Sequence, residues 1–498
     1  VAAFRKSLNT DYVNIESLEK REVQKRAEDF YNARWSGGAN FIDMLNYFCV
    51  AIVGVISSCA LIYKLNAAMI LLIAVTCGIE FFIQHTLTKK RRENLNAKTE
   101  PNNRFNYFYK LCKDGKSAKD IKIYGFKDYF IKALAKSLYD IEKIYAKYTH
   151  QCIASDGISA LLNAARESVA YIYLVYLVTK SRLSVSDFIF YFGIITGFSN
   201  WVISLGYSVN QIEMCCNECA EYRKYIEEKD TSDEGTALQS KCVESIEFCN
   251  VSYKYPSSQT PTLKNINIKF GGNENVAIVG ENGAGKTTLI KLLCGLYSPT
   301  DGKILLNDTD TAGIAKNSYF DLFSVIFQDY RFLPMTIQQN ITASSEYDRG
   351  KLYAAFEQAG ILEKINSLPQ KENSLMDREV YKDAVDFSGG EKQKLLLSKA
   401  VYKDAPILVL DEPTAALDPI AENELYLKYN ELTKDKLSFF ISHRLSSTRF
   451  CDRILFLSDG KIAEEGTHEE LMAKKGKYYK MYQIQSYYYK EQEASVNE

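Results

Sequence analysis

The sequence predicts two fold classes in one chain: an α-helical half suited to a bilayer, followed by an α/β half built around a phosphate site. Three observations predict it. Of 9 prolines only Pro101 falls in residues 1–255, and a stretch so poor in proline suits long helices. The same half contains uncharged runs long enough to cross a membrane. The other half contains an apolar strand that runs directly into a glycine-rich loop ending in lysine.

Composition narrows the choice of partners. The chain has 498 residues and a formal net charge of -1, with Lys+Arg 61 against Asp+Glu 62. That balance argues against nucleic acid as main partner, because neutralising phosphates needs a net basic surface. The 12 cysteines are scattered, unlike those of a small disulfide scaffold. Cys215, Cys216 and Cys219 lie in a helical stretch with no second Cys/His pair nearby, and they read as free thiols rather than metal ligands. The chain opens on Val1 and its first methionine is Met44, which reads as a fragment or a processed product.

Four spans are expected in residues 1–220. Met44–Tyr63 and Phe188–Tyr207 are uncharged runs of 20 residues. At about 1.5 Å per residue each covers a hydrocarbon core of about 30 Å. Residues 67–84 carry one charge, Glu80, and residues 160–179 carry Arg166 and Glu167. Charges inside spans are functional candidates, here for a substrate path. The competing reading has Arg166 and Glu167 snorkelling or pairing at the inner interface. The segment Thr88–Gly157 holds 16 basic residues, which places it on the cytoplasmic side, together with residues 1–40 and everything after 210. Read as helix, it forms two arms of about 50 Å each. A polar connector at 221–243 follows.

The phosphate site comes next. Val276–Val279 reads as a buried strand, followed by Gly280, Glu281, Asn282, Gly283, Ala284, Gly285, Lys286 and Thr287, and then by a helix from Thr288. Glycines let backbone N–H groups approach phosphate oxygens, and the helix N-terminus adds partial positive charge. Lys286 is expected at the β- and γ-phosphates, and Thr287 at Mg²⁺. A second apolar strand, Ile407–Leu410, ends in Asp411 and Glu412. Asp411 suits the metal shell, and Glu412 a general base or water-orienting role. Between the two strands, Ser388, Gly389, Gly390 and Glu391 open a helix, a second anion-binding design.

These elements resemble the nucleotide-binding domain of an ATP-binding cassette (ABC) transporter over residues 244–484, with a tail at 485–498. Ser388-Gly389-Gly390-Glu391 matches the family signature, with Phe387 in place of the usual Leu. The resemblance implies that Tyr255 stacks on adenine, with Tyr253 as the competing choice. It implies that Gln328 touches Mg²⁺ or the attacking water. It places Asp418 in the loop that crosses to a partner subunit and His443 at the γ-phosphate. The cofactors implied are ATP and Mg²⁺. The segment Arg378–Asp386 departs from many exporters in being less glycine-rich.

The helical half resembles an exporter-type permease, whose subunits have six spans. The first two are then expected before Val1. Asp11–Leu18 and Ser117–Gly125 occupy the places of the family's two coupling helices. The resemblance implies an integral, multi-pass protein of a bacterial plasma membrane, with the cassette in the cytoplasm. It implies a dimer, with a second like or similar half as partner. ATP-driven export of a peptide, lipid or drug-like substrate is the expected function. The alternative is a regulator or channel-gating protein that binds ATP without pumping.

Overall fold

In the computed structural model, residues 2–32, 37–65, 75–76, 78–80, 82–83, 86, 100–228, 235–256, 258–412, 428–442 and 445–485 are described. The chain forms two compact units, Glu22–Glu228 and Val1–Arg21 with Lys229–Glu498. Residues 1–21, placed with the helical half in the sequence reading, thus group with the second unit.

The first unit is helical. Its main elements are α3 (Leu18–Asn32), which begins in the other unit, α4 (Gly37–Leu65), α5 (Gly115–Ile123), α6 (Lys127–Thr179) and α7 (Val185–Glu227). Residues 100–113 are also helical. The expected 160–179 span is the end of α6, which runs unbroken for 53 residues because no proline interrupts it. Likewise α7 carries the 188–207 span on to Glu227, so the start of the expected connector is helix.

Helices α4 and α7 pack antiparallel in one register. The Gly37 N–H donates to Glu218 Oε2 at 2.6 Å, and Asn40 Nδ2 to Cys215 Sγ at 3.9 Å. Further along, a Cβ on Gly54 would lie 2.4 Å from the Trp201 ring, so glycine is what admits the indole. Outward faces of both helices expose Val50, Val53, Ile56, Ile189, Phe190 and Ile203. Apolar side chains arrayed this way suit lipid. Among the described residues α4 and α7 are long and apolar enough to cross a membrane. Most of the expected 67–84 span lies outside the described residues, but Thr76 and Glu80 are described. Arg166 is fully buried, with Nη1 3.9 Å from Glu80 Oε2 and 3.3 Å from the Thr76 hydroxyl. It also donates to Asn163. One of the two sequence readings paired Arg166 with Glu167; across helices, Arg166 faces Glu80.

The second unit opens with α1 (Ala2–Asn9) and α2 (Tyr12–Glu16), and continues with two sheets. Strands β1 (Ser245–Tyr253), β2 (Leu263–Gly271), β4 (Asp301–Leu306) and β5 (Thr309–Asp310) form an antiparallel sheet in the order β2-β1-β4-β5. The other sheet contains β3 (Asn275–Gly280), β6 (Phe323–Ile326), β7 (Ile407–Asp411), β8 (Leu437–Ile441), β9 (Arg453–Ser458) and β10 (Lys461–Gly466), in the order β10-β9-β3-β8-β7-β6. All its pairs are parallel except β10 with β9. The two sheets enclose a core that includes Phe248, Phe270, Ile278, Leu289, Val409 and Phe439. A second core, around Phe356, Phe387, Leu395 and Tyr429, holds the helices between β6 and β7. Phe387 is buried there, which explains why a large apolar residue precedes Ser388.

Candidate nucleotide site

Strand β3 is buried over Val276–Gly280, as expected of a central parallel strand covered on both faces. It delivers the chain to the loop, and helix α8 (Lys286–Leu293) leaves it. Gly283 and Gly285 have φ of +79° and +103°, backbone that side chains with a Cβ rarely adopt. A Cβ on Gly285 would also lie 2.7 Å from the Leu263 side chain, whereas one on Gly283 would meet nothing within 4 Å. The loop is thus packed at its base and open at its tip. Asn282, Gly283 and Thr287 are exposed, while Ala284, Lys286 and Thr288 are buried.

Lys286 folds back over its own loop, donating from Nζ to the Gly280 carbonyl at 2.8 Å and the Glu281 carbonyl at 3.0 Å. Burial lowers its pKa, opposed by the charges of Glu412 and Asp411. Asp411 closes β7 and is buried. Burial pushes its carboxyl up to about 6; the Glu412 charge adds to the rise and Lys286 opposes it.

Glu412 follows at φ +48°, a left-handed conformation uncommon outside glycine. Its N–H donates to the Ile441 carbonyl on β8 at 3.0 Å, which pins the turn. Gln328 Nε2 donates to Glu412 Oε2 at 2.8 Å, leaving the amide oxygen for another partner. Thr287, Gln328 and Asp411 therefore offer oxygen donors alone, a set that fits Mg²⁺.

The Ser388 loop is a built helix start. Ser388 caps α13, which covers Gly389–Lys403 (helices Lys316–Phe320, Ile337–Thr342, Arg349–Ala359 and Leu362–Ser367 being α9 to α12). The Glu391 N–H donates to Ser388 Oγ at 3.3 Å, and the Ser388 N–H to Glu391 Oε2 at 2.8 Å. This reciprocal capping box leaves other N–H groups of the first turn, including those of Gly389 and Gly390, without helical partners. Partial burial pushes the Glu391 carboxyl up, but the Ser388 and Lys364 hydrogen bonds outweigh it and hold it below the usual range.

The two candidate adenine aromatics are set apart by burial. Tyr253 is buried in β1, and Tyr255 is partly exposed just beyond it. The Tyr255 hydroxyl lies 2.9 Å from Thr288 Oγ1 on α8. Asp418 and His443 lie outside the described residues, as do any contacts they make. Three features were not apparent in sequence: the left-handed turn at Glu412, the Gln328–Glu412 bond, and a cluster of Glu16, Lys291 and Tyr297. The last had a local signal in Tyr12 and Ile15, but its partners come from remote sequence.

Residues 263–415 match the ABC transporter model. The subtilin transport ATP-binding protein SpaT of Bacillus subtilis is 30% identical over 74% of this chain and 61% of its own length. The nisin transport ATP-binding protein NisT of Lactococcus lactis is 28% identical, over 82% of this chain and 67% of its own. An ATP-dependent lipid A-core flippase of Burkholderia orbicola is 36% identical over 48% of this chain and 40% of its own. The chain thus spans about three-fifths of the length of the first of these relatives. A bacterial Atm1-family ABC exporter with ATP bound shares the fold, with a TM-score of 0.81 at 23% identity over 97% of this chain and 83% of that one. With its helical half followed by an α/β ATPase domain, this chain carries an ABC transporter domain at residues 263–415 and is similar to ABC exporters.

Proposed function

We propose that the chain is one half of a dimeric, ATP-driven exporter of an amphipathic substrate: a peptide, a lipid or a drug-like compound. This reading is supported by one domain holding two helix starts suited to anions, the open-tipped loop at 280–287 and the capped start of α13 at Ser388. One chain supplies one of each. A dimer with a like or similar half completes two ATP sites, each closed between the loop of one chain and Ser388–Gly390 of the other. The subtilin, nisin and lipid A-core relatives support transport as the use of that ATPase.

In this reading Tyr255 stacks on the adenine. Gly280, Asn282, Gly283, Ala284, Gly285 and Thr288 shape the phosphate cradle. Lys286 exchanges its loop carbonyls for phosphate oxygens. Thr287, Gln328 and Asp411 would hold Mg²⁺, which would neutralise phosphate charge. Glu412, steadied by Gln328, orients the attacking water and takes its proton. His443 meets the γ-phosphate, and Glu391 keeps the Ser388 turn in shape. Asp418 reaches the partner. ATP-driven closure and hydrolysis-driven opening of the dimer bias the membrane half between two states. The chain is a multi-pass protein of a bacterial plasma membrane with its ATPase unit in the cytoplasm. Glu412 favours a pump over a gating protein, because gating by ATP binding needs no base.

The test is ATP-dependent uptake by inverted membrane vesicles, with a panel of peptides, lipids and drugs that also report on ATPase stimulation. At least one class is expected to be taken up and to stimulate hydrolysis. Hydrolysis indifferent to every class, with no uptake, contradicts export.

A further inference from the structure

The helix that leaves the phosphate loop has a second set of contacts. Thr288 and Lys291, three residues apart on α8, share one face. Thr288 meets the Tyr255 hydroxyl at 2.9 Å. Lys291 donates from Nζ to Glu16 Oε1 at 2.9 Å and to the Tyr297 hydroxyl at 3.1 Å. The Tyr297 hydroxyl in turn donates to Glu16 Oε2. Glu16, the last residue of α2, thus receives both a cation and a phenol. Lys291 also lies 5.1 Å from the ring centroids of Tyr12 and Tyr297.

Tyr297 connects this cluster to the adenine side. It is buried, with its ring stacked on Tyr253 at 4.9 Å and 6°. It meets Tyr255 edge-on at 5.7 Å and 86°. Because α2 covers Tyr12–Glu16 and Asp11 pairs with Lys316, the helix is held at both ends. Close-packed rings transmit small displacements, since no void absorbs them.

We propose that Glu16 is a positioning residue for ATP binding: it fixes Tyr297, which sets the orientation of Tyr255 toward the adenine ring. The inference rests on the reading of Tyr255 as the adenine-stacking residue. Coupling between sites is reciprocal, so adenine binding strengthens the docking of α2 by the same factor. The base, separately from the phosphates, is then reported to the segment that leads into α3.

The test uses the full chain reconstituted in lipid. Glu16→Gln keeps the shape but removes the charge, and Tyr297→Phe keeps the ring stack but removes the hydroxyl. Each is expected to raise the KM for ATP about fivefold or more, the low end of inter-site coupling, with kcat little changed. Inhibition by inorganic tripolyphosphate, which has no base to stack, is expected to stay constant. In a Tyr255→Ala background, which itself raises the KM for ATP, neither substitution should add to the effect. An unchanged KM in both single variants overturns the proposal. So does an equal loss of tripolyphosphate binding, or a full additive effect in the Tyr255→Ala background. If Tyr255→Ala alone leaves the KM for ATP unchanged, the adenine assignment fails, and the proposal with it.

Discussion

Gln328 holds Glu412: its Nε2 donates to Glu412 Oε2 at 2.8 Å, joining the segment after β6 to the end of β7. Together with the Ile441 carbonyl on the Glu412 N–H, this bond fixes the carboxylate in a left-handed turn. Removing the amide frees the side chain while leaving the fold intact. Gln328→Ala is expected to lower kcat by up to about 10²-fold, the cost of misplacing a catalytic group, in a steady-state ATPase assay. An unchanged kcat contradicts the positioning role.

Ser388 caps α13, and in the proposed function it also faces a nucleotide. Ser388→Ala removes the acceptor of the Glu391 N–H and is expected to cost about 1 kcal/mol, seen as a small drop in thermal stability without nucleotide. ATP-dependent dimerisation of the same variant should weaken further. Loss of stability with dimerisation untouched contradicts the anion-site role.

Asp411 makes ligand-free stability depend on pH. Burial, with the Glu412 charge adding to it, pushes its carboxyl from the ordinary 3.8 up to about 6 in the folded chain. Between those values the folded chain binds more protons than the unfolded one, so stability falls as pH rises through the window. The full penalty, on the order of 3 kcal/mol, holds above pH ~6. Asp411→Asn is therefore expected to raise the ligand-free melting temperature at pH 8 and to leave it little changed at pH 4. Stabilisation by Mg²⁺ with ATP should be lost in the variant, and should fade in the parent chain below pH ~6. A lower ligand-free melting temperature for the variant at pH 8 contradicts the burial argument.

In the helical unit, neither Glu80 oxygen accepts a hydrogen bond among the described residues, and its charge faces Arg166 at 3.9 Å. Arg166→Met leaves a buried carboxylate without its cation and is expected to cost about 3–5 kcal/mol. Adding Glu80→Gln should restore most of it. Thermal unfolding in detergent measures both, and equal stability of the single and double variants contradicts the pairing.

Much of the ATPase domain was legible because its signals are local. Gly283, Gly285 and Lys286 carry their geometry in adjacent residues, and Ile407–Leu410 announces a strand ending in Asp411. The absence of proline announced α6 and α7, though not that α7 runs on through charged residues to Glu227. What could not be read depends on tertiary structure. Tyr253 and Tyr255 have the same chemistry and differ in burial. Glu80 meets Arg166, and Glu16 meets Lys291, only after the chain has folded. The grouping of residues 1–21 with the ATPase unit follows from those long-range contacts, since α1 and α2 look like ordinary amphipathic helix.

In the proposed function this chain hydrolyses ATP with Glu412 as the base. The most direct measurement is Mg²⁺-dependent, vanadate-sensitive ATPase activity of the lipid-reconstituted chain, compared with Glu412→Gln. A loss of at least about 10²-fold in turnover, with ATP binding retained, is expected. Full turnover by Glu412→Gln contradicts it.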